Sequence, residues 1–177
     1  MNTFKTEGII LSSKMFFEKD KMITLFSPTL GKCRILAKSA HSPKSKFAGR
    51  LEVTTHVALV LYRGRTFTQV SQCDIKTGFI NIRQSLEKIS LSYYCLDIIS
   101  KTTDFEQVNV ALYDLLLTTL EQIHNGTDVE AVKQWFQTHF LKVEGLLDHD
   151  YPHIISDQDF VRRFEEYTGM PTLNPLC

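Results

Sequence analysis

Lys32-Cys33-Arg34-Ile35-Leu36-Ala37-Lys38 is an alternating stretch: Lys32, Arg34 and Lys38 fall on one face, with Leu36 the exception, and Cys33, Ile35 and Ala37 fall on the other. A period of two is the mark of a half-buried strand, because successive side chains point to opposite sides of a sheet. One face is apolar and the other mostly cationic. Outward from it, Pro28 to Gly31 is a hairpin-type connection, and further strand-like runs occupy Phe4 to Ser12, Met22 to Ser27, Leu51 to Tyr62 and Thr66 to Thr77. Arg63-Gly64-Arg65 is a tight turn that carries two arginines at its tip. Five strands in about 75 residues predict a small closed or partly closed barrel.

Between the third and fourth strands, Ser39 to Arg50 is too polar, and too broken by Pro43, to be a strand, and it carries Lys44, Lys46 and Arg50. Lys14, Lys19, Lys21, Lys32, Arg34, Lys38, Arg63 and Arg65 fall on strand faces, strand ends or loops where their fields add to it. The whole chain has no formal net charge, which hides a split. Residues 1–83 hold 14 Lys and Arg against 5 Asp and Glu, a net of +9, and the remainder holds 6 against 15, a net of −9. A basic front half predicts a polyanionic partner, nucleic acid first among them. Phe16, Phe17 and Phe47 lie near the cationic loops, where a core or packing role is the first reading for each and stacking on bases the second.

The second half changes to helical spacing. Leu86, Ile89, Tyr93 and Leu96 follow one helical face, and Leu91, Tyr94, Cys95 and Ile98 make that helix apolar almost all round. Asp104 with Gln107 predicts the cap of a second helix, whose Val108, Leu112, Leu115, Leu116, Leu120 and Ile123 form a stripe ended by Asn125-Gly126. Thr127-Asp128-Val129-Glu130 reads as a capping box for a third, with Val129, Val132, Phe136, Phe140 and Val143 inward. Ser156 caps a last amphipathic helix that runs to Tyr167. The expected architecture is α+β in two domains, a barrel over 1–80 and a helical bundle over 81–177.

Motifs for covalent chemistry do not appear: there is no phosphate-binding glycine loop, no dinucleotide fingerprint, no nucleophile elbow and no His-Glu-x-x-His. Asp148, His149, Asp150 and His153, with Cys177 returning to them, are the nearest approach to a metal cluster, but Pro152 interrupts the helix that would pair the histidines. Neither a metal nor a cofactor is expected, and the chain reads as a non-enzyme. Cys33, Cys73, Cys95 and Cys177 lie far apart without a Cys-x-x-Cys pair and read as buried thiols. Met1-Asn2-Thr3-Phe4-Lys5 does not open a secretory signal, and the apolar runs fall short of a bilayer span, so a soluble cytoplasmic protein is expected.

Thr6-Glu7-Gly8-Ile9-Ile10-Leu11, Glu18-Lys19-Asp20-Lys21, Thr24-Leu25-Phe26-Ser27, Gly31-Lys32, Ala37-Lys38, Pro43-Lys44-Ser45-Lys46, Ala48-Gly49-Arg50-Leu51 and Leu61-Tyr62-Arg63-Gly64-Arg65 keep an order and spacing that resembles the bacterial recombination mediator family RecO. Trp135-Phe136 and Leu141 before Gly145-Leu146-Leu147 look like the helical domain of that family. The resemblance implies an oligonucleotide-binding (OB-fold) barrel followed by an α-helical domain. It also implies binding of single- and double-stranded DNA, strand annealing, and work with RecR in loading RecA onto DNA coated by single-strand-binding protein, whose C-terminal tail the helical domain engages. The barrel cations are then the DNA-contact candidates, Lys32, Arg34, Lys38, Lys44, Lys46 and Arg50 foremost. Many members carry a four-cysteine zinc module after the third helix; here Asp148-His149-Asp150-Tyr151-Pro152 follows Leu147, and no zinc is implied. Two other readings remain open on the residues alone, a protein-binding adaptor and a metal-dependent nuclease at Asp148 to His153.

Overall fold

The computed structural model describes residues 3–42, 44–126 and 128–172. Five strands, β1 (Thr3–Phe16), β2 (Asp20–Ser27), β3 (Gly31–Ala37), β4 (His56–Arg63) and β5 (Thr68–Thr77), close into a barrel in the order β1-β2-β3-β5-β4. All pairs are antiparallel except β3 with β5. This is the OB fold. Apolar side chains of every strand meet inside, among them Ile10, Ile23, Leu25, Ile35, Leu59 and Val70.

Two strand boundaries differ by more than two residues from the sequence reading. β1 runs four residues beyond Ser12, because past an irregularity between Ile10 and Ser12 it stays paired with β2 as far as Phe16 opposite Asp20. The fourth strand starts at His56 rather than Leu51: Thr54 adopts φ 73°, outside any strand, and its amide donates to the Ile10 carbonyl while the Ile10 amide donates to that of Thr55. Leu51, 1% exposed, and Phe47, 4% exposed, instead drop from the connecting loop into the barrel core. Phe47 is thus a core residue and not a stacking platform; burying such a ring is worth about 2–3 kcal/mol.

The loop is also fastened to the sheet. β3 pairs with β5 only at Ile35 with Thr68 and Leu36 with Gln69. Beyond Gln69, Lys46 Nζ donates to the Ser71 carbonyl at 2.7 Å and Arg50 Nη1 to the Cys73 carbonyl at 2.9 Å. Two of the loop cations therefore bond to β5 carbonyls beyond the point where its pairing with β3 ends.

The chain divides into two compact units, Met1–Gly78 with Thr103–Val110, and Phe79–Thr102 with Ala111–Cys177. The second unit holds a short 3₁₀ turn (Ile80–Gln84) and four helices, α1 (Leu86–Thr102), α2 (Val110–Asn125), α3 (Val129–Val143) and α4 (Asp157–Thr168). Ser156 caps α4 as expected, accepting from the Asp159 amide. α3 is capped by Asp128, whose side chain accepts from the Ala131 amide; Thr127 lies outside the described residues.

The inner helix faces are partly other than expected. α1 buries Leu91, Tyr94, Cys95, Ile98 and Ile99 and leaves Leu86 and Tyr93 exposed. A helix apolar all round has no single stripe from which to read its orientation. α3 turns Lys133, Phe136, Gln137, Phe140 and Leu141 inward. Lys133 is held there by Asp157 at 2.6 Å and Glu130 at 3.0 Å, and Gln137 joins Tyr94 Oη to Asp157. Burial works against the Lys133 ammonium, but its hydrogen bonds to these two carboxylates outweigh it and hold its pKa above the ordinary lysine value.

The predicted cap at Asp104 and Gln107 does not form. Residues 103–109 are not helical: Phe105 makes a parallel bridge with Lys32, the Glu106 amide donates to the Lys32 carbonyl at 2.8 Å, and Glu106 takes φ 65°. This strap belongs to the barrel unit although its sequence neighbours are helices. Gly31 permits its approach, since a Cβ there would lie 2.2 Å from the Gln107 carbonyl oxygen.

Candidate nucleic-acid interface

Pairing across β1, β2 and β3 sets side chains in rows on the outer face: Ser12, Thr24 and Arg34 in one, Lys14, Met22 and Leu36 in the next. Ser12 Oγ donates to Thr24 Oγ1 at 3.0 Å. Phe16 continues the β1 side of this face, and Phe67, from the β4–β5 turn, meets it edge-on with ring centroids 5.6 Å apart. Together they enclose a hollow of about 290 Å³ lined by Ser12, Lys14, Phe16, Met22, Thr24, Arg34 and Phe67. Phe17 packs on Phe16 at 4.5 Å and is itself 77% exposed, at a left-handed φ of 57°.

A larger groove of about 740 Å³ lies beside it, between β3, the β4–β5 turn and the strap, with Phe4, Leu30, Ile35, Arg63, Phe67 and Phe105 among its walls. Arg34 lies over the Phe105 ring at 4.7 Å, and Lys32 Nζ is the same distance from that ring. Such contacts orient a cation without neutralising it. The β4–β5 turn is closed by a hydrogen bond from the Gly64 amide to the Phe67 carbonyl.

The eleven predicted cations separate into groups. Lys14, Arg34 and Arg63 line these hollows, and Arg65 is exposed on the turn that carries Phe67. Lys19 and Lys38 are exposed at one end of the barrel, where the His41 amide donates to the Lys19 carbonyl and the Ser39 amide to Asp20 Oδ1. Lys44 is exposed on the loop, while Lys46 and Arg50 are exposed but anchored on β5, with Asp74 3.8 Å from Arg50. Lys21 pairs with Glu52 at 3.2 Å.

Lys32 departs most from expectation: it is 6% exposed, so it is not part of an open cationic face. The strap covers it. Its burial lowers its pKa, with Asp104 opposing and Arg34 reinforcing that shift. Phe67 and Phe105 are the residues that sequence reasoning missed. An aromatic two positions beyond the arginine turn was a usable signal for Phe67; Phe105 offered none, because its partner Lys32 is remote in sequence.

The surface presents guanidinium and ammonium groups to phosphates, π-faces to bases, and hydroxyls between them, a combination suited to a nucleic-acid strand. The thiols contribute no reactive group here: burial, with Glu106 adding to it, pushes Cys33 up to about 12, burial pushes Cys73 up to about 11, and Cys95 is raised by burial as well. Among the described residues no group of three or more His, Cys, Asp or Glu side chains is placed to hold a metal ion. His149 and His153 lie in an irregular stretch, and Cys177 is outside the described residues. No helix among the described residues is long and apolar enough to cross a membrane.

Comparison with known proteins bears on both units. Residues 1–79 match the family model described as Recombination protein O N terminal, and residues 83–147 match Recombination protein O C terminal. A DNA repair protein RecO of Dehalococcoides mccartyi is 33% identical over 142 residues, covering 80% of this chain and 56% of the relative. DNA repair proteins RecO of Alkaliphilus metalliredigens, 29% identical over 146 residues, and of Roseiflexus sp., 30% identical over 142, match 82% and 80% of the chain and 59% and 50% of their own lengths. The chain spans about half the length of the curated relatives it matches.

Proposed function

The chain belongs to the RecO family, and from that premise we propose that it is a recombination mediator in DNA repair that binds single- and double-stranded DNA through its barrel and promotes annealing of complementary strands. With RecR it assists RecA loading onto DNA coated by single-strand-binding protein, and its helical unit is the docking surface for that protein's C-terminal tail. Its place of action is the bacterial cytoplasm, on the nucleoid.

The observation that carries this reading is the outer face of β1, β2 and β3 together with the adjoining end of β4 and the β4–β5 turn, where Lys14, Arg34, Arg63 and Arg65 accompany the aromatic rings of Phe16 and Phe67. In OB folds the face of the second and third strands and the flanking turns bind oligonucleotides. Lys19, Lys38 and Lys44 extend the positive field beyond the face, whereas Lys32 and Lys21, being covered or paired, are left out of the contact set. Phosphate neutralisation with release of counterions gives sequence-tolerant affinity. Annealing follows when two strands are held close while their repulsion is screened, base pairing supplying the drive. The mechanism has no covalent step, so it calls for no nucleophile, metal or cofactor.

The test is annealing of complementary strands coated by single-strand-binding protein, with and without RecR. Acceleration by this chain, enhanced or redirected by RecR, is the expected result. Failure to anneal bare or coated strands at low salt removes the mediator reading, and binding to the coat protein without any to DNA favours an adaptor instead.

A further inference from the structure

The 290 Å³ hollow and the 740 Å³ groove share Arg34 and Phe67, which form a common wall between adjoining compartments. Each compartment has an aromatic side of its own, Phe16 in the smaller and Phe105 in the larger. Apolar side chains complete the linings, Met22 in one and Ile35 and Leu30 in the other. Phe105 remains 47% exposed even with two cations over it, and Arg63 lies on the far side of the shared wall. The strap that carries Phe105 is held by its own bridge to β3, so this aromatic wall is built into the barrel.

Resting on the DNA-binding reading above, we propose that the two compartments form one seat for an unpaired strand: successive nucleobases lie against Phe16, Phe67 and Phe105, and Arg34 and Arg63 take the intervening phosphates. A base has a π-face available for stacking only when it has left its neighbours, so the aromatic walls act on single strands alone. Duplex DNA keeps its bases stacked and offers these compartments only its phosphates. The cations therefore set affinity for both forms, and the rings set the preference for the unpaired one.

The experiment uses the full chain and three labelled probes of equal length at one salt concentration: oligo-thymidine, a strand of abasic residues that retains its phosphates, and a duplex. The wild-type protein is expected to bind oligo-thymidine at least about fivefold more tightly than the abasic strand. Phe67→Ala and Phe105→Ala should each weaken oligo-thymidine binding by about 5-fold to 140-fold, the range for loss of one stacked base. Abasic and duplex affinities should stay within about twofold, whereas Arg34→Ala should weaken all three. Phe67→Leu and Phe105→Leu keep an apolar filler without a π-face and repeat the measurement if the alanine variants fail to fold. Equal wild-type affinity for oligo-thymidine and abasic strands, or leucine variants that discriminate between them as strongly as the wild type does, overturns the seat while DNA binding stands. Absence of binding to all three probes removes the DNA-binding reading itself.

Discussion

Replacing Gly31 by alanine should detach the strap from the barrel while leaving the barrel folded. Gly31 has φ +67°, a left-handed conformation that costs an L-residue roughly 1–2 kcal/mol. Its new Cβ would stand 2.2 Å from the oxygen and 2.5 Å from the carbon of the Gln107 carbonyl, so backbone and not a flexible side chain must move. Moving it gives up the 2.8 Å hydrogen bond from Glu106 to Lys32, worth about 0.5–1.5 kcal/mol. The contacts of Lys32 and Arg34 with Phe105 go with it, at about 0.5–1 kcal/mol each for a ring that is half exposed. Together these set the loss at roughly 2.5–5.5 kcal/mol. Gly49→Ala is the internal control: Gly49 has φ +69° but nothing within 4 Å of its would-be Cβ, so only the conformational cost applies. Denaturant unfolding of both variants should separate them by about 1.5 kcal/mol or more. Hydrogen exchange should show the Glu106 amide losing protection in Gly31→Ala only, with the Leu25 and Ile35 amides unchanged. Equal destabilisation of the two variants, or a Glu106 amide still protected in Gly31→Ala, refutes the claim that close approach at Gly31 seats the strap.

Three further outcomes are expected. His56 is 5% exposed, and burial, reinforced by Lys76 and opposed by Glu7, holds its pKa below the ordinary histidine value. The unfolded chain therefore takes up a proton at higher pH than the folded one, and this contribution to stability is present above about pH 6.5 and lost as pH falls below it. His56→Gln should flatten the stability profile between about pH 5 and 7 in denaturant titrations; an unchanged slope counts against it. Lys133→Ala leaves Asp157 and Glu130 without their shared ammonium, and because both carboxylates are half exposed the cost should be about 1–3 kcal/mol, with faster proteolysis in residues 156–168 as the readout. Proteolysis at the wild-type rate would mean that α4 does not depend on this pair. Cys33, Cys73 and Cys95 should resist alkylation at pH 8 in the folded protein and react once it is denatured, as peptide mapping can show; rapid native labelling of any of the three contradicts its elevated pKa.

The barrel was legible in the sequence wherever alternation and turn residues agreed, as at Lys32 to Lys38, Pro28 to Gly31 and Arg63 to Arg65. It was illegible where a segment's state depends on a distant partner. Lys14-Met15-Phe16-Phe17 has no alternation of its own and is strand through Phe16 because β2 continues beside it. Asp104 and Gln107 have the spacing of a helix cap, but the β3 edge at Lys32 recruits Phe105 and Glu106 first. The same dependence divides the cations. Arg34 kept the exposed position that its period implies, whereas Lys32, in phase with Arg34, is roofed by the strap, and Lys46 and Arg50 answer β5 carbonyls that no local pattern reveals. Phe47 went with its residue type and not with its cationic neighbours: its packing with Leu51 puts it in the core, the first reading for it.

The central claim is that the cations of the β1-β2-β3 face and of the adjoining end of β4 hold phosphates, and its most direct measurement is the salt dependence of single-strand binding by the wild-type protein and by Arg34→Ala with Arg63→Ala. If about six phosphates are neutralised, wild-type affinity should fall roughly 300-fold between about 50 and 200 mM salt, and removing the two arginines should reduce the slope of log K against log salt by about 1.4. A slope that is unchanged in the double variant would place the phosphate contacts elsewhere and contradict this assignment of the site.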